Sequence, residues 1–147
     1  MKRTRNSRGF TLVEILIVVI ILGILAAIVI PQFTNASNDA RNNSVASTLQ
    51  TLRGQIELFK IQHADTPPAQ TALSVVLTGK TNPTDTTQTA ATGTLGPYVQ
   101  SFPVNPVNGF STVVNAAGTA AGWVYSVSGN QYTISATNTT GTGTLTY

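Results

Sequence analysis

One carboxylate lies inside a long apolar stretch near the start of the chain. Glu14 follows Phe10 by four residues, and every other residue from Phe10 to Ile30 is uncharged. A charge inside a membrane-spanning helix costs roughly 3 kcal/mol on insertion scales, so such a residue usually has a functional role and a partner. The chemistry that Glu14 offers is ion pairing, and its partner must be a cation.

The rest of the chain offers little reactive chemistry. The sequence contains no cysteine, which excludes a disulfide framework and a thiolate metal site. No nucleophile–base pair or metal-ligand cluster is apparent, and Gly79-Lys80-Thr81 lacks the glycine spacing of a phosphate-binding loop. The only histidine, His63, lies beside Asp65 and is expected in solvent at a helix end. We therefore expect no catalytic residues, no metal and no cofactor.

The charges are distributed unevenly along the chain. The net charge of +3 comes from eight basic and five acidic residues, and four of the basic ones lie within residues 1–9. Without this leader the balance is four basic against five acidic residues, and no charged residue follows Asp85. A short basic segment before an apolar span determines membrane orientation. The basic excess therefore gives no support for nucleic-acid binding.

The apolar stretch is long enough to cross a membrane. Residues 10–30 would form a helix about 31 Å long, and a bilayer core is about 30 Å thick. Gly23 and Pro31 are weak points in such a helix. A secretory signal peptide cleaved near Ala36 and a plain signal anchor are the alternative interpretations. In each case the basic leader predicts a cytoplasmic N-terminus.

A second helical pattern follows the span. Apolar residues recur in steps of four and three, which predicts an amphipathic helix from about Gln32 to His63, ending before Pro67. This apolar stripe consists of Val45, Leu49, Leu52, Ile56 and Phe59. Arg53, Glu57 and Lys60 lie off the stripe and are predicted to form an exposed face, with Glu57 and Lys60 paired.

The C-terminal part is predicted to be turn-rich with a small sheet. A short helix or turn is expected over residues 72–77, a loop over 78–93 and an ordered, proline-containing loop over 96–109. Alternating apolar residues predict a β-hairpin from residues 122–127 and 131–135, and residues 110–114 are a further candidate strand. Trp123, Tyr125 and Tyr132 are expected in the core or on the sheet. One long helix on a small antiparallel sheet is an α+β fold.

The N-terminal residues resemble a known processing signal. Segment 8–14, RGFTLVE, followed by an apolar helix, closely resembles the class III signal of type IV pilins and type II secretion pseudopilins. The resemblance implies a pilin-like fold, cleavage by prepilin peptidase after Gly9, and methylation of the new N-terminus at Phe10. Glu14 corresponds to the family's early glutamate, and Gly23 and Pro31 to its helix-softening positions.

The resemblance also implies an assembly mechanism. A methylated amine keeps its positive charge, so the Phe10 amine of one subunit is the natural partner for Glu14 of a neighbour in a filament of parallel helices. The implied organisation is a removed leader (1–9), a transmembrane or filament-core helix (10–30) and a periplasmic or extracellular head (31–147). The implied partners are prepilin peptidase, further copies of the chain, an inner-membrane assembly platform, minor pseudopilins and the membrane.

A weaker resemblance covers the C-terminal part. Segments 95–100 (LGPYVQ), 103–106 (PVNP) and 122–125 (GWVY) resemble the G-type, or major, pseudopilin pattern, which has aspartate where this chain has Asn105. Those pseudopilins bind calcium through an acidic C-terminal loop, and this chain has no acidic residue there, so no calcium is assigned. The alternatives are a type IV pilin forming a surface pilus and a membrane-anchored binding protein that does not polymerise.

Overall fold

The protein begins with a long helix and ends with a small mixed sheet. A computed structural model describes residues 9–87, 89–118, 120–140 and 143–145; most of the predicted leader, residues 1–8, lies outside this range. Its elements are α1 (Leu12–Gln62), α2 (Leu73–Thr78), β1 (Val113–Val114), β2 (Trp123–Ser128), β3 (Gln131–Thr137) and β4 (Thr144–Leu145). The predicted α+β class is confirmed.

Residue contacts divide the chain into two units, Met1–Asp39 and Ala40–Tyr147. In the first unit, every residue from 9 to 39 is exposed, including all of the apolar stretch. The second unit contains the hydrophobic core. From here on, the head means this unit, Ala40–Tyr147. Helix α1 contributes residues to both units.

Helix α1 continues through both predicted weak points. Pro31 lies inside the helix, where its missing N–H removes one backbone hydrogen bond. Close by, the Thr34 hydroxyl donates to the carbonyl oxygen of Ile30 at 3.1 Å, a contact that slightly destabilises and often bends helices. The softening role of Gly23 and Pro31 remains a prediction.

The amphipathic stripe of α1 forms one side of the head's core. Its five predicted residues, Val45, Leu49, Leu52, Ile56 and Phe59, are all at most 1% exposed. They pack with Leu73, Val76 and Leu77 of α2 and with Trp123, Tyr125, Ile134 and Ala136 of the sheet. Burying such large side chains contributes about 1.5–3 kcal/mol each. The predicted stripe and its partner in the C-terminal half are confirmed.

The predicted hairpin is also confirmed. Strands β2 and β3 are antiparallel, with Ser128 opposite Gln131, so the connecting loop consists of Gly129 and Asn130. Gly129 has a φ of +60°, a conformation that glycine adopts without steric cost and that two-residue hairpins require. The aromatic residues of β2 face the core, since Trp123 and Tyr125 are both fully buried.

The sheet is mixed, whereas the sequence predicted an antiparallel one. The strand order is β1-β2-β3-β4, with β1 parallel to β2 and β4 antiparallel to β3. Parallel strands usually need a long crossover. Here β1 has only two residues, so residues 115–122 are enough to bring the chain back beside the start of β1, where β2 begins. The backbone N–H groups of Gly122 and Trp123 both donate to the carbonyl oxygen of Thr112, at 3.0 Å each.

Candidate assembly and processing site

The predicted cleavage point lies in non-helical backbone. Gly9 and Phe10 precede α1, which begins at Leu12, and both residues are exposed. Phe10 exposes 77% of its surface. Accessible, non-helical backbone is what a protease needs. Cleavage between Gly9 and Phe10 stays a prediction.

Glu14 lies in the first turn of α1, where Thr11 caps the helix. The backbone N–H of Glu14 donates to the Thr11 hydroxyl at 3.2 Å. Threonine followed three residues later by glutamate is the capping-box sequence, a pattern from which the role of Thr11 could have been predicted. A carboxylate in this position also interacts favourably with the helix dipole. Glu14 is thus on an exposed helix end, four residues after Phe10.

None of the residues that the structure describes covers the apolar half of α1. Its large apolar side chains from Leu12 to Ile30 are between 47% and 81% exposed, on every side of the helix. A helix that is apolar all round belongs in a membrane or inside a helical assembly. α1 is also the one helix in the described part of the chain that is long and apolar enough to span a membrane.

Gly23 and Pro31 lie in the same helix as Glu14, more than two helical turns after it. A Cβ added at Gly23 would meet no described atom within 4 Å, so packing among the described residues does not require glycine here. Small residues allow close approach of neighbouring helices in membranes. The structure therefore brings Phe10 and Glu14 together at one helix end and places Gly23 and Pro31 apart from them.

In the head, the proline-rich loop 103–110 is held by two asparagine side chains. Asn105 is fully buried; its Nδ2 donates to the carbonyl oxygens of Gly122 (2.9 Å) and Thr137 (3.0 Å), and its Oδ1 accepts from the Val107 N–H. Asn108 Nδ2 is close to three acceptors: the Ala121 carbonyl (2.8 Å), the Thr137 hydroxyl (2.7 Å) and the Asn138 carbonyl (3.0 Å). We call these contacts the asparagine clasp.

Comparisons with known proteins find a family motif near the N-terminus and relatives that match most of the chain. Residues 4–30 match the family model described as the prokaryotic N-terminal methylation motif. Type II secretion system core protein G of Pseudomonas aeruginosa is 31% identical over 105 residues, which cover 69% of each protein. The proteins of the same name from Vibrio cholerae and Escherichia coli are 29% and 27% identical, over 72% and 78% of this chain and 69% and 77% of their own. No solved structure matches the chain.

The chain belongs to the type II secretion system core protein G family. The match covers most of the length of these relatives and more than 100 residues of this chain, so it extends well beyond the methylation motif at residues 4–30. The pseudopilin resemblance stated from the sequence is thereby confirmed.

This core protein G relative has a charged cluster that the sequence predicted only in part. Arg53 and Glu57 are exposed as predicted, but Lys60 is only 9% exposed, so its prediction was wrong. Lys60 Nζ lies 3.8 Å from Glu57 Oε2 and 3.4 Å from Asp65 Oδ1, and 5.8 Å from the centre of the Tyr132 ring. Tyr132 belongs to β3, so the buried lysine lies beside this strand.

The same cluster raises the pKa of Tyr132 to about 12, first through burial and then through the Glu57 carboxylate, while Arg53 acts in the opposite direction. The Tyr132 hydroxyl donates to the backbone carbonyl of Arg53 at 3.3 Å. With residues 131–134 of β3, the three charged helix residues line a cleft of about 330 Å³.

His63 is buried, which corrects the prediction of a solvated histidine. It is 1% exposed and stacks on Phe59, with ring centres 3.7 Å apart and planes 4° apart. Nδ1 lies 2.8 Å from the Phe59 carbonyl oxygen and must carry a proton to bond it. Helix α1 ends at Gln62, so the Phe59 carbonyl oxygen has no backbone N–H partner from a further helical turn. The His63 side chain donates to it instead.

No metal site is apparent in the described ranges. They contain no group of three or more histidine, cysteine, aspartate or glutamate side chains close enough to hold an ion. Near the C-terminus, the Asn138 Oδ1 accepts from the backbone N–H groups of Thr140 and Gly143.

Proposed function

We propose that this protein is a structural subunit of a type II secretion filament, namely its major pseudopilin. The observation that carries the proposal is the exposed apolar half of α1, which is uncovered on every side although the head already has a complete core. Such a surface needs lipid before assembly and neighbouring helices afterwards. Membership of the core protein G family supports the same function.

Maturation is proposed to take place at Gly9 and Phe10. Prepilin peptidase would cut the bond between them and methylate the Phe10 amine, in agreement with the methylation motif over residues 4–30. The exposed, non-helical backbone at both residues supports this step. Cleavage would remove four basic residues and leave a cationic amine two residues before the helix begins at Leu12.

Glu14 is proposed to set the register of assembly. Because its carboxylate is one helical turn from the mature N-terminus, a neighbour shifted along the filament axis can place its Phe10 amine against it. A buried ion pair contributes little net stability, but an unpaired buried charge costs about 3–5 kcal/mol, so only paired registers are populated. Gly23 would allow neighbouring helices to approach, and Pro31 would soften α1.

Before assembly, the subunit is proposed to wait in the inner membrane with its N-terminus in the cytoplasm and its head in the periplasm. The basic leader supports this orientation. Prepilin peptidase, the assembly platform, minor pseudopilins and other copies of the chain are the proposed partners. We infer an assembly role and no catalytic one, with no cofactor.

The first test is the mass of the mature N-terminus. A protein purified from membranes of its source cells should begin at monomethylated Phe10. A chain beginning at Met1 would contradict maturation by prepilin peptidase, and one beginning at Ser37 would indicate an ordinary signal peptide.

The second test separates the pseudopilin from the alternatives. Deletion of the gene should abolish export of a secreted enzyme, whereas cells at native expression should show no long surface fibres. Loss of adhesion, motility or DNA uptake with normal export would instead identify a type IV pilin. A chain that stays in lipid and never cross-links to its own copies would be a non-polymerising anchored protein.

A further inference from the structure

The dipeptide Asn108-Gly109 is the only asparagine–glycine pair in the chain. Glycine has no side chain to shield its backbone nitrogen, so that nitrogen can reach the carboxamide of the preceding residue. We propose that the folded head protects Asn108 from deamidation, and that deamidation of an unfolded head destabilises its folded state.

The reaction needs only water. The Gly109 backbone nitrogen attacks Cγ of Asn108 and loses its proton, the Cγ–Nδ2 bond breaks, and Nδ2 leaves as ammonia. Water then opens the resulting succinimide. Hydrolysis at Cγ yields aspartate, and hydrolysis at the backbone carbonyl carbon yields isoaspartate with the chain running through Cγ. The net change replaces the amide by an acid, with no oxidant or reductant.

The folded head holds both reacting groups in other bonds. The Gly109 N–H donates to the carbonyl oxygen of Asn105 at 2.8 Å, so the attacking nitrogen is occupied. The leaving Nδ2 is held within 3.0 Å of three oxygens, those of Ala121, Thr137 and Asn138. Asn108 Oδ1 accepts from the Phe110 N–H at 3.0 Å, which fixes the orientation of the amide. The side chain therefore cannot turn toward Gly109 without breaking the clasp.

The product does not fit the site that protected the reactant. A carboxylate accepts hydrogen bonds but donates none, and it would face the carbonyl oxygens of Ala121 and Asn138. Isoaspartate would also lengthen the backbone beside Gly109, which already has a φ of +78°. Deamidation is irreversible, so a head that unfolds long enough to react keeps the changed residue. We expect such a subunit to be unable to take part in assembly.

The repeat PVNPVN in residues 103–108 contains its own control. Asn105 is also part of the clasp, but the next residue is Pro106, whose nitrogen carries no hydrogen. Asn105 therefore cannot react by the same route in any state of the head. Chymotrypsin does not cleave before proline, so it spares the Phe102–Pro103 bond and cuts after Tyr98 and Phe110; one peptide, residues 99–110, therefore reports on both asparagines.

The experiment compares the full-length chain in detergent with and without urea, at slightly alkaline pH. Peptide mass spectrometry should show conversion of Asn108 at least about tenfold faster in urea, because the rate follows the open population. Asn105 should stay intact throughout. Across a urea series, the rate should rise in parallel with unfolding followed by fluorescence of the single tryptophan, Trp123. Equal rates in folded and unfolded protein would overturn the proposal.

Two variants test the clasp itself. Thr137→Val removes one acceptor of Asn108 Nδ2, so the folded rate should rise severalfold while the rate in urea stays the same. If Thr137→Val does not fold, the urea series with the unmodified chain still decides the question. Asn108→Asp should lower the urea midpoint. A midpoint equal to that of the unmodified chain would show that deamidation does not destabilise the folded head.

Discussion

The side-chain amide of Asn105 donates a hydrogen bond to the backbone carbonyl of Thr137, 3.0 Å away, and so ties the proline-rich loop to the last residue of β3. The same nitrogen donates to the Gly122 carbonyl just before β2. One buried side chain therefore fastens a loop to both strands of the hairpin. Only an amide can do this here, since the two partners are acceptors and the Val107 N–H needs an acceptor in return.

Asn105→Asp should destabilise the head by about 3 kcal/mol or more at neutral pH, because a buried carboxylate would face two carbonyl oxygens. Burial would raise the pKa of this new carboxyl above its unfolded value of about 3.9. The variant should therefore lose stability as pH rises above about 4, through its folded pKa. Urea unfolding followed by Trp123 fluorescence measures this, with the exposed Asn115→Asp as the control. Equal losses at acid and neutral pH would contradict the explanation.

His63 should be replaceable by an aromatic residue but not by a small one. His63→Ala removes the stack on Phe59 and leaves a cavity, at an expected cost of about 2–4 kcal/mol. His63→Phe keeps the stack, loses the Nδ1 hydrogen bond to the Phe59 carbonyl, and also removes Nε2, which is buried without a hydrogen-bond partner in the described structure. These two effects oppose each other, so we expect a change within about 1 kcal/mol. Thermal unfolding of the two variants would contradict this order if Phe were the more destabilising.

Tyrosine ionisation should weaken the head at high pH. Burial raises the pKa of Tyr125 far above its usual 10.0, and that of Tyr132 rises to about 12. The protonated forms of both tyrosines therefore stabilise the folded state. This stabilisation is complete below pH 10 and is lost as the pH rises through the pKa values of the folded state. Tyr132→Phe should make the decline in stability above pH 10 shallower, since Phe cannot ionise. Ultraviolet absorbance of tyrosinate and Trp123 fluorescence during an alkaline titration measure both events.

Glu14→Gln should leave membrane insertion intact and impair assembly. The amide keeps the size of the side chain and removes the cost of burying a charge, but leaves the neighbour's Phe10 amine unpaired. We expect at least about tenfold less incorporation into filaments, since an unpaired buried charge costs about 3 kcal/mol or more. Glu14→Asp should restore part of it. The control is Asp39→Asn, an exposed acid in the same helix. Normal filament incorporation of Glu14→Gln would exclude the register role.

Much of the fold follows from local patterns. The stripe from Val45 to Phe59 predicted its burial because side chains at steps of three and four share one helix face. The hairpin around Gly129 followed from alternation and turn chemistry. The capping role of Thr11 was equally readable from its spacing to Glu14.

Other features depend on residues far apart in the chain. Asn105 meets Gly122 and Thr137 only after the loop and hairpin have packed together. Lys60 becomes buried because Tyr132 of β3 lies beside it. β1 pairs in parallel with β2, and Val113 lies opposite Trp123. No local sequence pattern indicates this pairing.

The sequence by itself determined the features of the N-terminal half: an apolar helix, one carboxylate near its start and the motif that predicts cleavage between Gly9 and Phe10 are all local properties. The tertiary structure decided what the polar groups of the head do. Burial removes water from a side chain, so its partners must come from whichever residues packing brings near it. His63 and Asn105 looked like ordinary polar residues in the sequence, and the fold placed one on Phe59 and the other between two strands.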